Sequence, residues 1–480
     1  MKSYGFNFDT TYTLLPKVFH SELNPEVVSD PNITIFNESL AESLGLNFSI
    51  LSYKEQSELL SGSKLVYGSK PFSQSYAGHQ FGHFTMLGDG RAHILGEHVT
   101  ESDERFDIQL KGSGRTPYSR RGDGKAALGP MLREFIISEA MHYLGIPTTR
   151  SLAVVSTGES IRRETILPGA ILTRVASSHI RIGTFEFAAS YEDKNIIQSL
   201  LDYSVQRHYP EILDSENKPL ALIKVVMEKQ VDLIVHWMRV GFIHGVMNTD
   251  NMVLSGETID YGPCAFMDQY DPNTVFSSID HGGRYAYGSQ PKIAQWNLAR
   301  LAETLLPLIN EDIDKAIKLA EEVIHQFSDM YQNKWQKMMQ SKLGLIKTEK
   351  VDIKLISDLL DWMQKSKADF TNTFSDLTSQ KEVEDKIYND DEFQHWFNRW
   401  KKRINNNPDS QLLMRENNPV FIPRNHNVEN ALSAAENGDI NIFNNLLEVL
   451  RSPYKNNDLI KHYQAPPKPN ERVYQTFCGT

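Results

Sequence analysis

One stretch, His244 to Cys264 (HGVMNTDNMVLSGETIDYGPC), constrains this chain more than any other. It reads as a polar loop, a short apolar strand (Met252, Val253, Leu254), a Ser255-Gly256 turn, a second strand ending at Asp260, and a tight Gly-Pro turn. A hairpin between the two strands would bring Asn251 and Asp260 close together. An Asn carbonyl and a carboxylate are hard oxygen ligands, of the kind Mg²⁺ or Mn²⁺ takes beside nucleotide phosphates. Asn251 and Asp260 are therefore the candidate metal ligands, and the rest of the chain is read around them.

The stretch resembles the catalytic core of protein-kinase-like enzymes, whose pattern is His-Arg-Asp or His-Gly-Asp, four residues, Asn, a strand hairpin, then Asp-Phe-Gly. His244-Gly245 and Asn251 keep that spacing, and Asp260-Tyr261-Gly262 stands for Asp-Phe-Gly. The position of the kinase catalytic base is held by Val246, which cannot accept a proton. Asp250 is the carboxylate left in the loop. Ordinary transfer of a γ-phosphoryl group is disfavoured for that reason.

With 480 residues the chain is long enough for a substantial core, and length suggests more than one domain-sized unit. A net charge of −11 argues against a general nucleic-acid binder and against an anionic-membrane binder. No apolar run approaches a membrane span, and the N-terminus lacks the apolar run of a signal peptide, so the expected location is cytoplasmic. Two cysteines are too few for a disulfide framework or a zinc site.

In chain order, DPNITIFNESLAESLGLN predicts a strand and then a helix, with Asn37 or Ser39 as N-cap and Gly45 near its end. Further on, HFTML and AHILG flank Gly88-Asp89-Gly90-Arg91, and Asp-Gly between two strands predicts a hairpin there. Its glycines would also let backbone N–H groups approach a phosphate. His79 and His83 read as structural histidines, because the glycines around them argue against a metal-binding helix. Phe106 to Lys111 alternates as a strand, and Arg115, Arg120, Arg121 and Lys125 follow in a Gly-rich loop. That loop is either a solvated basic surface or a polyphosphate pocket with bidentate donors. A helix over 129–147 starts near Pro130 and stops at Gly145-Ile146-Pro147. Either Glu134 or Glu139 on it could reach Lys111, and spacing does not choose between them. Residues 150–190 read as two or three strands, with Arg174 and Arg181 flanking a Ser-Ser-His turn. An Arg in apolar strand context is buried only when paired, and phosphate is one such partner. Residues 192–207 and 219–240 read as helices, the second with Ile223, Met227, Val231, Ile234 and Met238 on its core face. A polar, aromatic segment follows Cys264, then helices to the end, with the last 16 residues read as a tail that is flexible unless docked.

The strings YAGHQFGHF, LGDGR, QLKGSGRTPYSRRGDGKAALGPMLREF, HGVMNTDNM and IDYGP, with the C-terminal NPVFIPRNH and Cys-Gly-Thr ending, resemble the selenoprotein O (SelO) family of pseudokinases. The resemblance implies an α+β, bilobal protein-kinase-like fold with additional N-terminal elements and a helical C-terminal extension. It places an N-terminal extension at 1–70, an N-lobe at 71–190, a C-lobe at 191–340 and a helical region with a cysteine-containing tail at 341–480. It implies protein adenylylation: AMP passes from ATP, bound inverted, to Ser, Thr or Tyr hydroxyls of proteins, self-modification included, with UTP as a lesser alternative. Gly88, Gly90 and Arg91 would contact the nucleotide, as would Asp123 and Gly124. Lys111 would hold phosphates and pair with Glu134, and Arg174 and Arg181 would also lie on phosphates. Asn251 and Asp260 would hold Mg²⁺ or Mn²⁺, and Asp250 would accept the proton. Cys264 and Cys478 would form a reversible disulfide. The alternatives are a catalytically silent nucleotide-binding scaffold and a phosphoryl-transferring kinase.

Overall fold

The structure is a computed structural model, and it describes residues 4–379, 386–405 and 407–477. Ten strands lie in the first part of the chain: β1 (His20–Glu22), β2 (Asn32–Phe36), β3 (Phe72–Gln74), β4 (Ala77–Gln80), β5 (His83–Met86), β6 (Ala92–Val99), β7 (Arg105–Lys111), β8 (Ala126–Ala127), β9 (Arg150–Arg162) and β10 (Ile166–Ala176). Eight of them form one antiparallel sheet in the order β1-β3-β6-β7-β10-β9-β2, with β8 beside β10. The remaining two, β4 and β5, pair only with each other.

Two-residue alternation divides this sheet into a core face and a site face. Ile108 and Leu110 of β7, with Val155 and Ile171, pack under α1 (Glu38–Ser43) and α2 (Tyr53–Leu60). The opposite face carries Val154 and Leu172, which meet Leu132 and Ile136 of α3 (Leu128–Tyr143). Gln109, Lys111 and Arg174 lie on that second face, and β7 and β10 pair with Arg174 opposite Gln109. The α1 start follows the sequence, since Asn37 accepts from the Leu40 N–H.

Helices α4 (Ile182–Ala189), α5 (Lys194–His208) and α6 (Lys218–Val240) carry the chain away from the sheet. The five apolar residues singled out on α6 are all buried. Gly241 ends α6 with φ +72°, a left-handed conformation that glycine adopts without steric cost. The chain then enters β11 (Phe242–Ile243), which pairs with β12 (Ala265–Phe266), so His244–Cys264 is an excursion between two paired strands. Helices α7 (Gln290–Ile309), α8 (Ile313–Ile324), α9 (Gln326–Lys342), α10 (Val351–Ser366), α11 (Phe370–Ser379), α12 (Asp391–Ile404), α13 (Pro408–Asn417), α14 (Asn425–Glu436) and α15 (Asn441–Leu450) follow. Among the described residues no helix is long and apolar enough to cross a membrane.

Three expectations are corrected. The Met252–Leu254 and Glu257–Asp260 segments do not pair with each other. Val253 bridges Arg181, and Thr258 bridges Thr148, because the backbone N–H groups of Leu254 and Thr258 are taken by Ile180 and Pro147. The hairpin turn falls at Phe81-Gly82, one strand earlier than Gly88–Arg91; β6 turns away to pair with β3 and β7. The third strand expected before residue 190 is α4, whose first turn is closed by Thr184 Oγ1 accepting from the Arg181 N–H. The tail, read as flexible unless docked, is docked: Thr476 donates from its N–H to Phe276 O at 2.7 Å and from its hydroxyl to Pro263 O at 2.5 Å.

Candidate active site

A cleft of about 1150 Å³ opens between the site face of the sheet and the His244–Cys264 excursion. Its lining includes all of Gly88, Gly90, Arg91, Lys111, Asp123, Gly124, Glu134, Arg174, Arg181, Asp250, Asn251 and Asp260. The structure thus brings together residues separated by more than 170 positions in the sequence.

At its centre three cations converge on two carboxylates. Lys111 Nζ donates to Glu134 Oε2 and to Asp260 Oδ1, both at 2.7 Å. Arg174 Nε donates to Glu134 Oε1 at 2.7 Å and Arg174 Nη2 to Asp260 Oδ1 at 2.6 Å. Arg181 Nη1 donates to Asp260 Oδ2 at 2.9 Å, and its guanidinium lies 4.5 Å from the centre of the Tyr76 ring. Glu134, not Glu139, meets Lys111; Glu139 forks onto Arg150 instead. Burial alone would raise the Asp260 carboxyl, but Arg174, Lys111 and Arg181 hold it well below the usual carboxylate range. Glu134 is likewise lowered against its burial by Arg174 and Lys111.

Asp250 stands at the edge of this cluster in a different electrostatic state. It is buried, and its Oδ1 has no hydrogen-bond partner among the described residues. Burial pushes its carboxyl up to about 6, with Arg181 opposing. Its backbone is fixed: Arg181 Nη1 donates to Asp250 O at 2.6 Å. The preceding Thr249 accepts from the His79 N–H at 2.7 Å and donates to Glu186 at 2.5 Å. His79 also meets Glu186 through Nδ1 at 2.5 Å, so it serves to anchor this loop, whereas His83 is exposed. Two carboxylates in one cleft, one held ionised and one poised near neutrality, is the pattern that separates a cation ligand from a base.

The residues present fit a divalent cation. Asn251 Nδ2 donates to Val246 O at 2.9 Å, which leaves the amide oxygen as the atom available to a cation. A carboxylate offers about four lone-pair sites, and three N–H donors leave one on Asp260 Oδ2. No cluster of three His, Cys, Asp or Glu side chains with metal-binding geometry exists among the described residues, so such an ion would complete its shell with substrate or water.

The glycine positions are explained by close packing. A Cβ on Gly88 would stand 2.7 Å from Cδ1 of Tyr118, and one on Gly90 would stand 2.9 Å from Tyr118 O. Asp123 is gripped by Arg163 through Nη1 at 2.8 Å and Nη2 at 3.0 Å, and this hydrogen-bonded pairing lowers its carboxyl. Arg163 carries no motif that marks it in the sequence. Tyr76 and Asp89 lie within the YAGHQFGHF and LGDGR strings, which mark no role for either; the Asp89 carboxylate accepts from the Gln74 N–H. Val473, Gln475, Thr476 and Phe477 of the tail also line the cleft. Cys264 is a buried free thiol, pushed up to about 12 by burial, while Cys478 lies outside the described residues.

Residues 3–451 match the family model described as protein adenylyltransferase SelO. The chain is 60% identical over 481 residues to the protein nucleotidyltransferase YdiU of Nitrosococcus oceani, covering 99% of this chain and 98% of that one. It is 58% identical to the protein of the same name from Brevibacillus brevis and 56% to that of Halalkalibacterium halodurans, with the same coverage in both cases. The chain is a nucleotidyltransferase and belongs to the protein adenylyltransferase SelO family.

Proposed function

We propose that this cleft transfers AMP from ATP to Ser, Thr or Tyr hydroxyls of proteins, its own included, with UTP as an alternative donor. One observation carries the reading: a buried carboxylate with an unpartnered oxygen, Asp250, shares a cleft with a cluster of three cations. The acceptor oxygen attacks the α-phosphorus, forming the new O–P bond. The bond from the α-phosphorus to the bridging oxygen breaks and pyrophosphate leaves. Asp250 takes the hydroxyl proton, within hydrogen-bond reach of the acceptor. Lys111, Arg174 and Arg181 stabilise charge that develops on the phosphates, a task that fixed donors in a closed site perform better than water. Glu134 keeps Lys111 directed at the nucleotide. Gly88, Gly90 and Arg91 form one wall of the nucleotide site, and Asp123 with Gly124 another. Asn251 and Asp260 would hold Mg²⁺ or Mn²⁺, which when bound neutralises phosphate charge.

The same reading takes the chain as bilobal and protein-kinase-like. The sheet strands from β3 onward and α3 form a lobe over 71–190, the helices with the excursion form a lobe over 191–340, and 1–70, which adds β1 and β2 to the sheet, and 341–480 are additions. It places the protein in the cytoplasm.

Incubation with metal and either α- or γ-labelled ATP tests the transfer. The expected result is label fixed in protein from the α-position and not from the γ-position. Fixation of γ-label alone would make the protein a kinase despite Val246, and fixation of neither, with cell extract and reductant present, would leave a nucleotide-binding scaffold. A second proposal is the Cys264–Cys478 disulfide. The Thr476 to Pro263 hydrogen bond brings the tail to the residue before Cys264. A non-reducing peptide map after mild oxidation should contain the linked pair; a map with both thiols free would exclude it.

A further inference from the structure

Helix α3 carries Glu134 and packs its apolar residues on the sheet, yet its own sequence does not cap its first turn. Its N-cap is Ala127, which has no side chain to satisfy the first-turn N–H groups. The carboxylate that faces this end comes from α14, some 300 residues later: Glu436 packs against the Gly129 backbone. Gly129 leaves room for this carboxylate, since a Cβ there would stand 3.1 Å from Glu436 Cδ. An anion at that end of a helix is also favoured by the helix dipole.

One turn further on, Arg133 joins three parts of the molecule. Its Nη1 donates to Glu429 Oε1 of α14 at 2.6 Å, its Nε to Gly262 O at 3.1 Å and its Nη2 to Cys264 O at 2.7 Å. The last two lie just past Asp260. Arg133 is buried, and Glu429 is its ion-pair partner among the described residues. Phe135 adds an apolar contact, its ring 6.3 Å from that of Phe443 in α15. The residue between Arg133 and Phe135 is Glu134. A helix that shifted would therefore carry the Glu134 carboxylate away from Lys111 and Arg174.

We propose that α14 is a built-in clamp on α3, in which Glu429 and Glu436 are positioning residues that act through Arg133 and Gly129 to hold Glu134 against Lys111 and Arg174. This rests on the adenylyl-transfer reading of the cleft. It gives the helical C-terminal region a part in the chemistry.

The test is the full-length double variant Glu429→Ala/Glu436→Ala. Both residues are exposed, so the core is left intact. Transfer of α-label should fall about tenfold or more in kcat with a smaller change in the KM for ATP, as expected when a positioning contact is lost. Amide hydrogen exchange should accelerate across residues 128–143 and stay unchanged across 218–240. Glu436→Gln, which keeps an acceptor against the Gly129 backbone, should restore slow exchange at the start of α3. Wild-type kcat in the double variant would overturn the clamp, as would a loss of kcat with unchanged α3 exchange, or exchange that accelerates equally in α3 and α6. If the wild-type chain fixes no α-label, the transfer reading fails by itself, and the exchange pattern still decides whether α14 holds α3.

Discussion

Replacing Asp260 by Asn should abolish transfer, lowering α-label fixation by about a thousandfold or more, because it removes the charge of the proposed metal ligand. The same change should destabilise the protein. Asp260 is the shared anion for Lys111, Arg174 and Arg181, and removing one partner of a buried ionic cluster costs about 3–5 kcal/mol. Asn is chosen over Ala because Asp260 has φ +63°, a left-handed conformation that Asn tolerates. The pH dependence follows from the sign of the shift. The folded carboxyl lies well below its unfolded value, so its stabilising contribution is present above a pH of about 4 and is lost as pH falls below that. Asp260→Asn should therefore lie far below wild type in melting temperature at neutral pH and approach it in acid. ATP without metal should return much of the lost stability, because its phosphates replace the missing anion for the three cations. Thermal unfolding with and without ATP, run beside the labelling assay, checks each part. Label fixation at the wild-type level would remove Asp260 from the metal site.

What could be read in the sequence was local. The Asn37 cap, the alternation of Phe106 to Lys111 and the apolar spacing of α6 each depend on neighbours a few residues away, and each element formed where expected. Strand partners were not readable, because pairing is decided by distant segments. The β5 strand could close a turn with β4 or with β6, and it closes with β4 because β6 is taken by β3 and β7. The excursion after His244 carries two strand-like segments, yet their N–H groups find better-placed acceptors at Ile180 and Pro147. The site divides in the same way. Lys111, Asn251 and Asp260 stand at spacings that chemistry marks, and Arg174 and Arg181 were legible as buried cations needing partners. Spacing left Glu134 and Glu139 equivalent, and only the packing of α3 on the sheet separates them. Arg163 and Glu436 have no signal in a single sequence, and Arg133 is marked only as part of the GPMLREF string, without a role. Each acts by touching a segment that is remote along the chain, and nothing in its neighbours records that contact.

Gly78→Ala should lower kcat by about a hundredfold while leaving the fold intact, the scale expected when a reacting group is displaced by about an ångström. Gly78 lies in β4 directly against the proposed base: a methyl there would stand 2.7 Å from Cγ of Asp250. Its backbone φ lies outside the left-handed region, so Ala meets no conformational penalty and the effect is steric. Neither side can retreat. On one side the next residue, His79, is tied to Thr249 and Glu186; on the other, Arg181 holds the Asp250 carbonyl. The carboxylate itself must swing, which changes its position in the cleft that it lines. A pH profile identifies the group that has moved. A base is active when deprotonated, so wild-type kcat/KM should rise with pH through about 6 and level off above it. Asp250→Asn should lose this rise together with about 10²–10⁴-fold in rate. In Gly78→Ala the rise should survive, displaced from its wild-type position, because the carboxyl is still present in altered surroundings. A Gly78→Ala enzyme with wild-type kcat would mean that Asp250 is not the base, or that its position in the cleft does not matter to the reaction.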